Sequence, residues 1–240
     1  MDTGTLAAIQ GELARNGLDG WLMYDFHGTN PIAVRFLELT GIVTRRSFFF
    51  IPAAGKPTAL IHNIEKKSFE HLPGKKIYFS AYVALEQELR TLLEGKKRLA
   101  MEYSPMGRLP YIGKVDAGTI ELIRSLGIEV VTSADLVAKF DAVLSPEQIA
   151  MHREAAAHLN RIKDDAFALI QESLKAGKTI CEYDVAKFVM DEFARAGMVT
   201  DFPPICGVGP NAGKPHYEPP AVGSSVIKKN DLILLISGPN

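Results

Sequence analysis

Apolar positions follow two different periods along the first 140 residues. Leu6, Ile9 and Leu13 fall three and four apart between Thr5 and Asn16, which is the spacing of a helix face, and Gly17 stops the run. Gly20 to Tyr24 is a short apolar run and predicts a strand. Asn30-Pro31 predicts a turn that opens a short helix through Leu37. Ser47 to Ile51 and Thr58 to His62 are β-type runs around Pro52-Ala53-Ala54-Gly55-Lys56-Pro57, the pattern of a hairpin. Strands are expected over 77–80, 98–102 and 129–131, and helices over 83–93, 116–126 and 134–140. Such alternation predicts an α/β domain with a mixed sheet.

Beyond residue 141 the pattern changes. Ser145 suits an N-cap, Pro146 the first helical position, and Gln148 completes a capping box. The helix that follows carries Ile149, Leu159, Ile162, Ala166, Leu169 and Ile170 along one stripe and ends near Gly177. Thr179 with Glu182 reads as a second capping box. It opens a helix with Val185, Phe188, Val189 and Phe193 inward and Gly197 at its C-terminal cap. From Thr200 the chain turns to Pro203-Pro204, Gly207, Gly209, Pro210 and Gly213, then His216 and a last apolar strand from Leu232 to Ile236. Consecutive apolar residues there ask for cover on both faces. The expected domains are 1–141 and 142–240.

Composition narrows the function classes. At 240 residues, 47% hydrophobic and 23% charged, the chain fits one large or two small globular domains. Lys+Arg number 27 against 28 Asp+Glu, so neither nucleic acid nor a membrane surface has an electrostatic footprint to bind. No apolar run reaches membrane-spanning length, and Met1-Asp2-Thr3 lacks the basic start of a signal peptide. Cys181 and Cys206 are too few for a disulfide framework. The expectation is a soluble, cytoplasmic protein.

Candidate chemistry is sparse. Gly207 to Lys214 is glycine-rich, but Pro210 and Pro215 remove the backbone donors that a phosphate loop needs. His27, His62, His71, His152 and His158 are scattered and form no zinc-type unit. Cys181 and Cys206 read as small buried hydrophobes, and Asp164 and Asp165 as solvated charges on different helix faces. There is no Gly-x-Ser-x-Gly elbow. What remains is a proline-flanked histidine loop.

Four segments, in order, resemble the creatinase/prolidase ("pita-bread") family of Xaa-Pro metallopeptidases. Leu144-Ser145-Pro146-Glu147-Gln148-Ile149 is similar to the helix opening of that family's catalytic domain, and Thr179-Ile180-Cys181-Glu182-Tyr183-Asp184-Val185-Ala186 to its next helix start. Phe202 to Ala212 followed by Pro215-His216-Tyr217 resembles the strand and loop that bring a histidine to the substrate pocket. Lys229-Asn230-Asp231-Leu232-Ile233-Leu234-Leu235 resembles a Lys-x-Gly-Asp-Leu-Val-Leu strand, with Asn230 in place of Gly. The implied fold is an α/β N-terminal creatinase/prolidase-type domain followed by an incomplete α+β pita-bread catalytic domain. The implied activity is hydrolysis of peptide bonds next to proline by a full-length parent with two divalent ions (Mn, Co or Zn). A peptide substrate and a homodimer are implied as partners.

The resemblance also implies an absence. Ile236 stands where the family's first metal-ligating Asp is expected, and Ile has no lone pair to give. No metal ligand carries over, so no cofactor is expected in this chain. His216 alone carries over, as a substrate-pocket histidine. The tail Ile236-Ser237-Gly238-Pro239-Asn240 fits a one-base deletion, in which GAT CTC TGG GCC CAA C becomes ATC TCT GGG CCC AAC. A cloned fragment or a naturally short protein fits the same tail, and the coding DNA decides. These readings leave open whether the chain is an enzyme. It reads as a catalytically silent part of a peptidase, a non-catalytic binding module on the same scaffold, or a fragment of a creatinase-like amidinohydrolase.

Overall fold

A computed structural model describes residues 2–238 and divides the chain into two units, Met1–Val143 and Leu144–Asn240. Asp141 belongs to the first, held by an ion pair with Arg35. Pro239 and Asn240, part of the tail read as frameshifted, lie outside the described residues.

The first unit runs α1 (Thr3–Arg15), β1 (Gly20–Asp25), α2 (Pro31–Phe36), β2 (Ser47–Pro52), β3 (Thr58–His62), β4 (Lys75–Phe79), α3 (Tyr82–Leu92), β5 (Arg98–Met101), α4 (Ala117–Ser125), β6 (Glu129–Thr132) and α5 (Ala134–Phe140). Its sheet has the order β4-β3-β2-β1-β5-β6. The expected hairpin is there as the antiparallel pair β2–β3, and β1 also runs antiparallel to β2. β3–β4, β1–β5 and β5–β6 are parallel, so the sheet is mixed. A 3-10 segment, Asn63–Phe69, was not legible in the hydrophobic pattern.

Helices cover both sheet faces, which explains why β1 and β2 are continuous apolar runs rather than alternating ones. Trp21, Met23, Phe49 and Ile51 pack on one face with Ile9 and Leu13 of α1 and Leu136 of α5. Leu22, Tyr24, Phe48 and Phe50 pack on the other with Leu85 and Leu89 of α3 and Ile120 and Ile123 of α4. One carboxylate, that of Glu102, is fully buried here. It accepts from Trp21 Nε1 at 2.7 Å, Asn30 Nδ2 at 2.9 Å and Ser133 Oγ at 3.1 Å.

The second unit holds α6 (Pro146–Lys175), α7 (Glu182–Arg195), β7 (Ile205–Val208) and β8 (Ile233–Ile236). The Ser145 capping box forms as expected: Gln148 N–H donates to Ser145 Oγ at 3.1 Å, and Ser145 N–H to Gln148 Oε1 at 2.8 Å. Ile162, Ala166 and Ile170 meet Val185, Val189 and Phe193 in the core. Ile149 departs from the expected stripe and is exposed. The 30-residue α6 outruns the 14-residue α7, and its core contacts begin only at Leu159.

The second expected capping box is also corrected. Cys181, not Thr179, is the N-cap, and Cys181 N–H donates to Asp184 Oδ2 at 2.9 Å. Glu182 is thereby freed for a different task. The last strand starts at Ile233, leaving Leu232 exposed, and pairs antiparallel with β7. Cover on both faces is not what the described residues show. Ile233 and Leu235 pack on the core beside Val208 and Cys206, whereas Ile236 on the opposite face is half exposed.

Candidate functional site

Glu182 is the first residue of α7, and its side chain is fully buried. Four donors make five hydrogen bonds to its carboxylate. Val208 N–H reaches Oε1 at 2.7 Å, Tyr217 O–H reaches Oε2 at 2.7 Å, and Ser225 N–H reaches Oε2 at 3.1 Å. Asn211 Nδ2 spans both oxygens, at 3.1 Å and 3.3 Å, and also lies 3.1 Å from Ser225 Oγ. Burial pushes the Glu182 carboxyl up, but the bonds from Val208, Tyr217, Asn211 and Ser225 outweigh it and hold it below the ordinary range. The carboxylate is therefore ionised, and its position at a helix N-terminus adds to that preference.

These bonds fix the base of the histidine loop from two sides. After β7 the chain folds back through a 3-10 turn, Gly209–Gly213, which lies against Gly207. A Cβ at Gly207 would stand 2.9 Å from the Asn211 carbonyl oxygen, so only glycine permits this approach. From the other side, the segment after Val222 runs along the start of α7. Tyr183 N–H donates to Ser224 Oγ at 3.0 Å, Glu182 N–H to Ser225 O at 3.1 Å, and Ile227 N–H to Ile180 O at 2.9 Å.

His216 sits between Pro215 and Tyr217 on the exposed part of this loop. Its φ is +55°, a left-handed conformation that few residues other than glycine adopt. Its side chain is exposed, and among the described residues its imidazole has no hydrogen-bond partner. Its neighbour is the anchor: burial and then the Glu182 carboxylate push the Tyr217 phenol up to about 12. Lys214 Nζ donates to Asn211 Oδ1 at 2.7 Å and completes the loop's internal bonds.

The other residues weighed from the sequence take no part in these hydrogen bonds. Cys206 is buried in β7, and burial followed by the Glu182 charge pushes its thiol up to about 12, which makes it inert. Cys181 is half-buried. Asp165 pairs with Arg161 and Asp164 with Lys163, both at the surface. Sequence reasoning quoted Glu182 in one segment and Asn211 and Tyr217 in another and missed that they form one cluster. The signal available was an acidic residue opening a helix, with the side-chain donors Asn211 and Tyr217 in a later loop.

The metal chemistry implied by the resemblance requires several donor side chains converging on one point. Among the described residues no three His, Cys, Asp or Glu side chains gather into a group able to hold an ion. Ile236 lies in β8 opposite Ile205 and offers no donor atom. The described residues do not fit a divalent metal pair.

Comparison with known proteins bears on this geometry. Residues 152–240 match the model of metallopeptidase family M24. A 75-residue stretch is 37% identical to an uncharacterized peptidase of Schizosaccharomyces pombe, covering 30% of this chain and 12% of that protein. Among solved structures, the dipeptidase PepE of Mycobacterium ulcerans superimposes with a TM-score of 0.64 at 18% identity, over 97% of this chain and 58% of that one. The Xaa-Pro dipeptidase of Bacillus anthracis gives 0.61 at 14% identity, over 97% and 59%. The prolidase of Pyrococcus horikoshii gives 0.57 at 19% identity, over 97% and 60%. The shared property at these identities is the fold. The chain spans about three fifths of the length of these solved relatives.

Proposed function

With residues 152–240 in metallopeptidase family M24 and the chain in the prolidase fold, we propose that this protein is Xaa-Pro metallopeptidase-like and engages peptides next to proline. Its own contribution is substrate binding through His216. One observation carries this: a buried, ionised Glu182 fixes the loop from beneath, through Val208, Asn211, Tyr217 and Ser225, while the His216 imidazole stays exposed above it. A rigid loop with one free imidazole is suited to donate to a substrate carbonyl or accept from its amide without reorganising. A metal bound in full-length relatives would polarise the scissile carbonyl and activate water. The residues present here bind and orient.

The reading extends to a cytoplasmic protein, since both thiols are unpaired, and to a homodimer by analogy with the resembled family. The test is titration of an Ala-Pro dipeptide into the chain and into His216→Ala. The dipeptide is expected to shift amide resonances of the loop, and His216→Ala to weaken binding about tenfold at an unchanged melting temperature. Equal binding by the variant would overturn the role of His216. Binding of Ala-Ala as tightly as Ala-Pro would overturn the proline preference.

A further inference from the structure

The first unit carries a cleft that the peptidase reading leaves unused. β1 ends next to the start of β2, and β3 and β4 end alongside, so four segments meet at one end of the sheet. Phe26 follows β1, Arg45 and Arg46 precede β2, His62 ends β3, and Phe79 leads through Ser80 and Ala81 into α3. With Tyr82 and Leu85 they enclose about 300 Å3, at the lower end for small-molecule sites.

The lining is of two kinds. Phe26, Phe79, Tyr82 and Leu85 make the walls apolar. Arg45 and Arg46 supply charge, and among the described residues neither forms an ion pair. Arg45 Nη1 makes only long contacts to Thr44, at 3.4 Å to the carbonyl oxygen and 3.3 Å to the hydroxyl. The Arg46 guanidinium lies 5.0 Å above the Tyr82 ring. The nearby carboxylates accept hydrogen bonds from other groups, although Asp116 also feels the Arg46 charge. Asp25 accepts from Gly28 N–H and Asn30 N–H, and Asp116 from the Thr119 N–H and hydroxyl.

His62 is not the reacting group, because both its nitrogens are engaged. Nε2 lies 3.2 Å from Ser80 O, and Nδ1 accepts from Ile64 N–H at 3.3 Å. Its ring instead packs edge-on against Phe79 and stiffens the floor. At the far wall, the N-cap Ala81 offers α3 no side-chain acceptor, and the first turn holds no acidic residue. The N-terminus of α3 thus adds to the positive charge that Arg45 and Arg46 bring to the cleft.

We propose that this cleft binds a small carboxylate carried on an apolar or aromatic body. Arg45 and Arg46 take the carboxylate through their planar N–H forks, and Phe26, Tyr82 and Leu85 cover the body. The cation–π contact holds Arg46 beside the apolar wall, so charge and ring recognition sit within one ligand's length.

Calorimetric titration of the full chain with N-acetyl-L-phenylalanine, N-acetyl-L-phenylalaninamide and inorganic phosphate tests this. The acid is expected to bind one to one, with the neutral amide and phosphate each weaker by about tenfold or more. Arg45→Met/Arg46→Met should lower the affinity for the acid by at least about tenfold. Both side chains are exposed, so the variant is expected to fold; a melt checks this, and Arg45→Met alone serves if the pair does not. Arginine Nε–H resonances should shift with the acid in the unmodified chain. No binding of the acid, equal binding of the amide or phosphate, or unchanged affinity in the arginine variants would each overturn the proposal.

Discussion

The Tyr217 hydroxyl donates to Glu182 Oε2 at 2.7 Å, joining residues 35 positions apart. It is one of several hydrogen bonds that keep a carboxylate ionised where no water reaches it. Tyr217→Phe removes one donor and is expected to cost about 1.5–3 kcal/mol in urea unfolding, the range for bonds to charged groups. Amide exchange over residues 207–217 should quicken in the variant. Unchanged exchange there would show that the loop is held by other means.

Glu182→Gln should cost more than Tyr217→Phe. The amide offers a single acceptor oxygen, and its N–H2 would face the Val208 or Ser225 N–H, donor against donor. About 3 kcal/mol or more is expected, with the unfolding midpoint as the measurement.

The two fully buried glutamates give opposite pH dependences. Burial raises the Glu182 carboxyl, its hydrogen bonds lower it further, and the folded value falls below the ordinary 4.5. Its contribution is complete above that value and is lost as pH falls through the lower folded value. For Glu102 burial prevails over the bonds from Trp21, Asn30 and Ser133, and the folded value is raised. The folded first unit then favours protonated Glu102, so stability declines as pH rises from about 4.5 toward the raised value. Urea midpoints against pH should show Glu102→Gln flattening that decline and Glu182→Gln flattening the loss on the acid side. A Glu102→Gln variant that keeps the decline would mean Glu102 is not its source.

Neighbouring positions on β8 should respond differently to charge. Leu235 faces the core opposite Cys206, so Leu235→Lys is expected to cost about 3 kcal/mol or more. Leu234 lies opposite Gly207 on the other face, where Leu234→Lys should be tolerated and should improve solubility. Thermal melts and static light scattering of the two variants distinguish the faces. Equal destabilisation would show that the outer face is covered.

Divalent cations should find no tight site among the described residues. His216 is a lone imidazole, and tight sites need about three or four converging ligands. Mn2+ titration is expected to show no stoichiometric sub-micromolar binding; such binding would overturn this ligand census.

Much of the architecture was legible because its causes are local. The Ser145 box, the helix stops at Gly17 and Gly197, and the β2–β3 hairpin each depend on residues within a few positions of one another. The continuous apolar runs at 20–25 and 47–52 marked strands by composition, although which helices cover them is a matter of topology. The segments that resemble the peptidase family marked where the histidine loop lies. What they could not reveal was how it is held.

That was decided by tertiary contacts. Glu182 looked like a capping residue, because in sequence its partners within hydrogen-bonding reach are its own helix neighbours. In three dimensions Val208, Asn211, Tyr217 and Ser225 come to it from 26 to 43 positions away. A carboxylate excluded from water must replace its lost hydration with donors, and only chain folding can bring so many to one point. The arginine pair follows the same logic. Arg45 and Arg46 carry no signal in the sequence, and only the meeting of four strand termini places them at one cleft, with Arg46 over the Tyr82 ring.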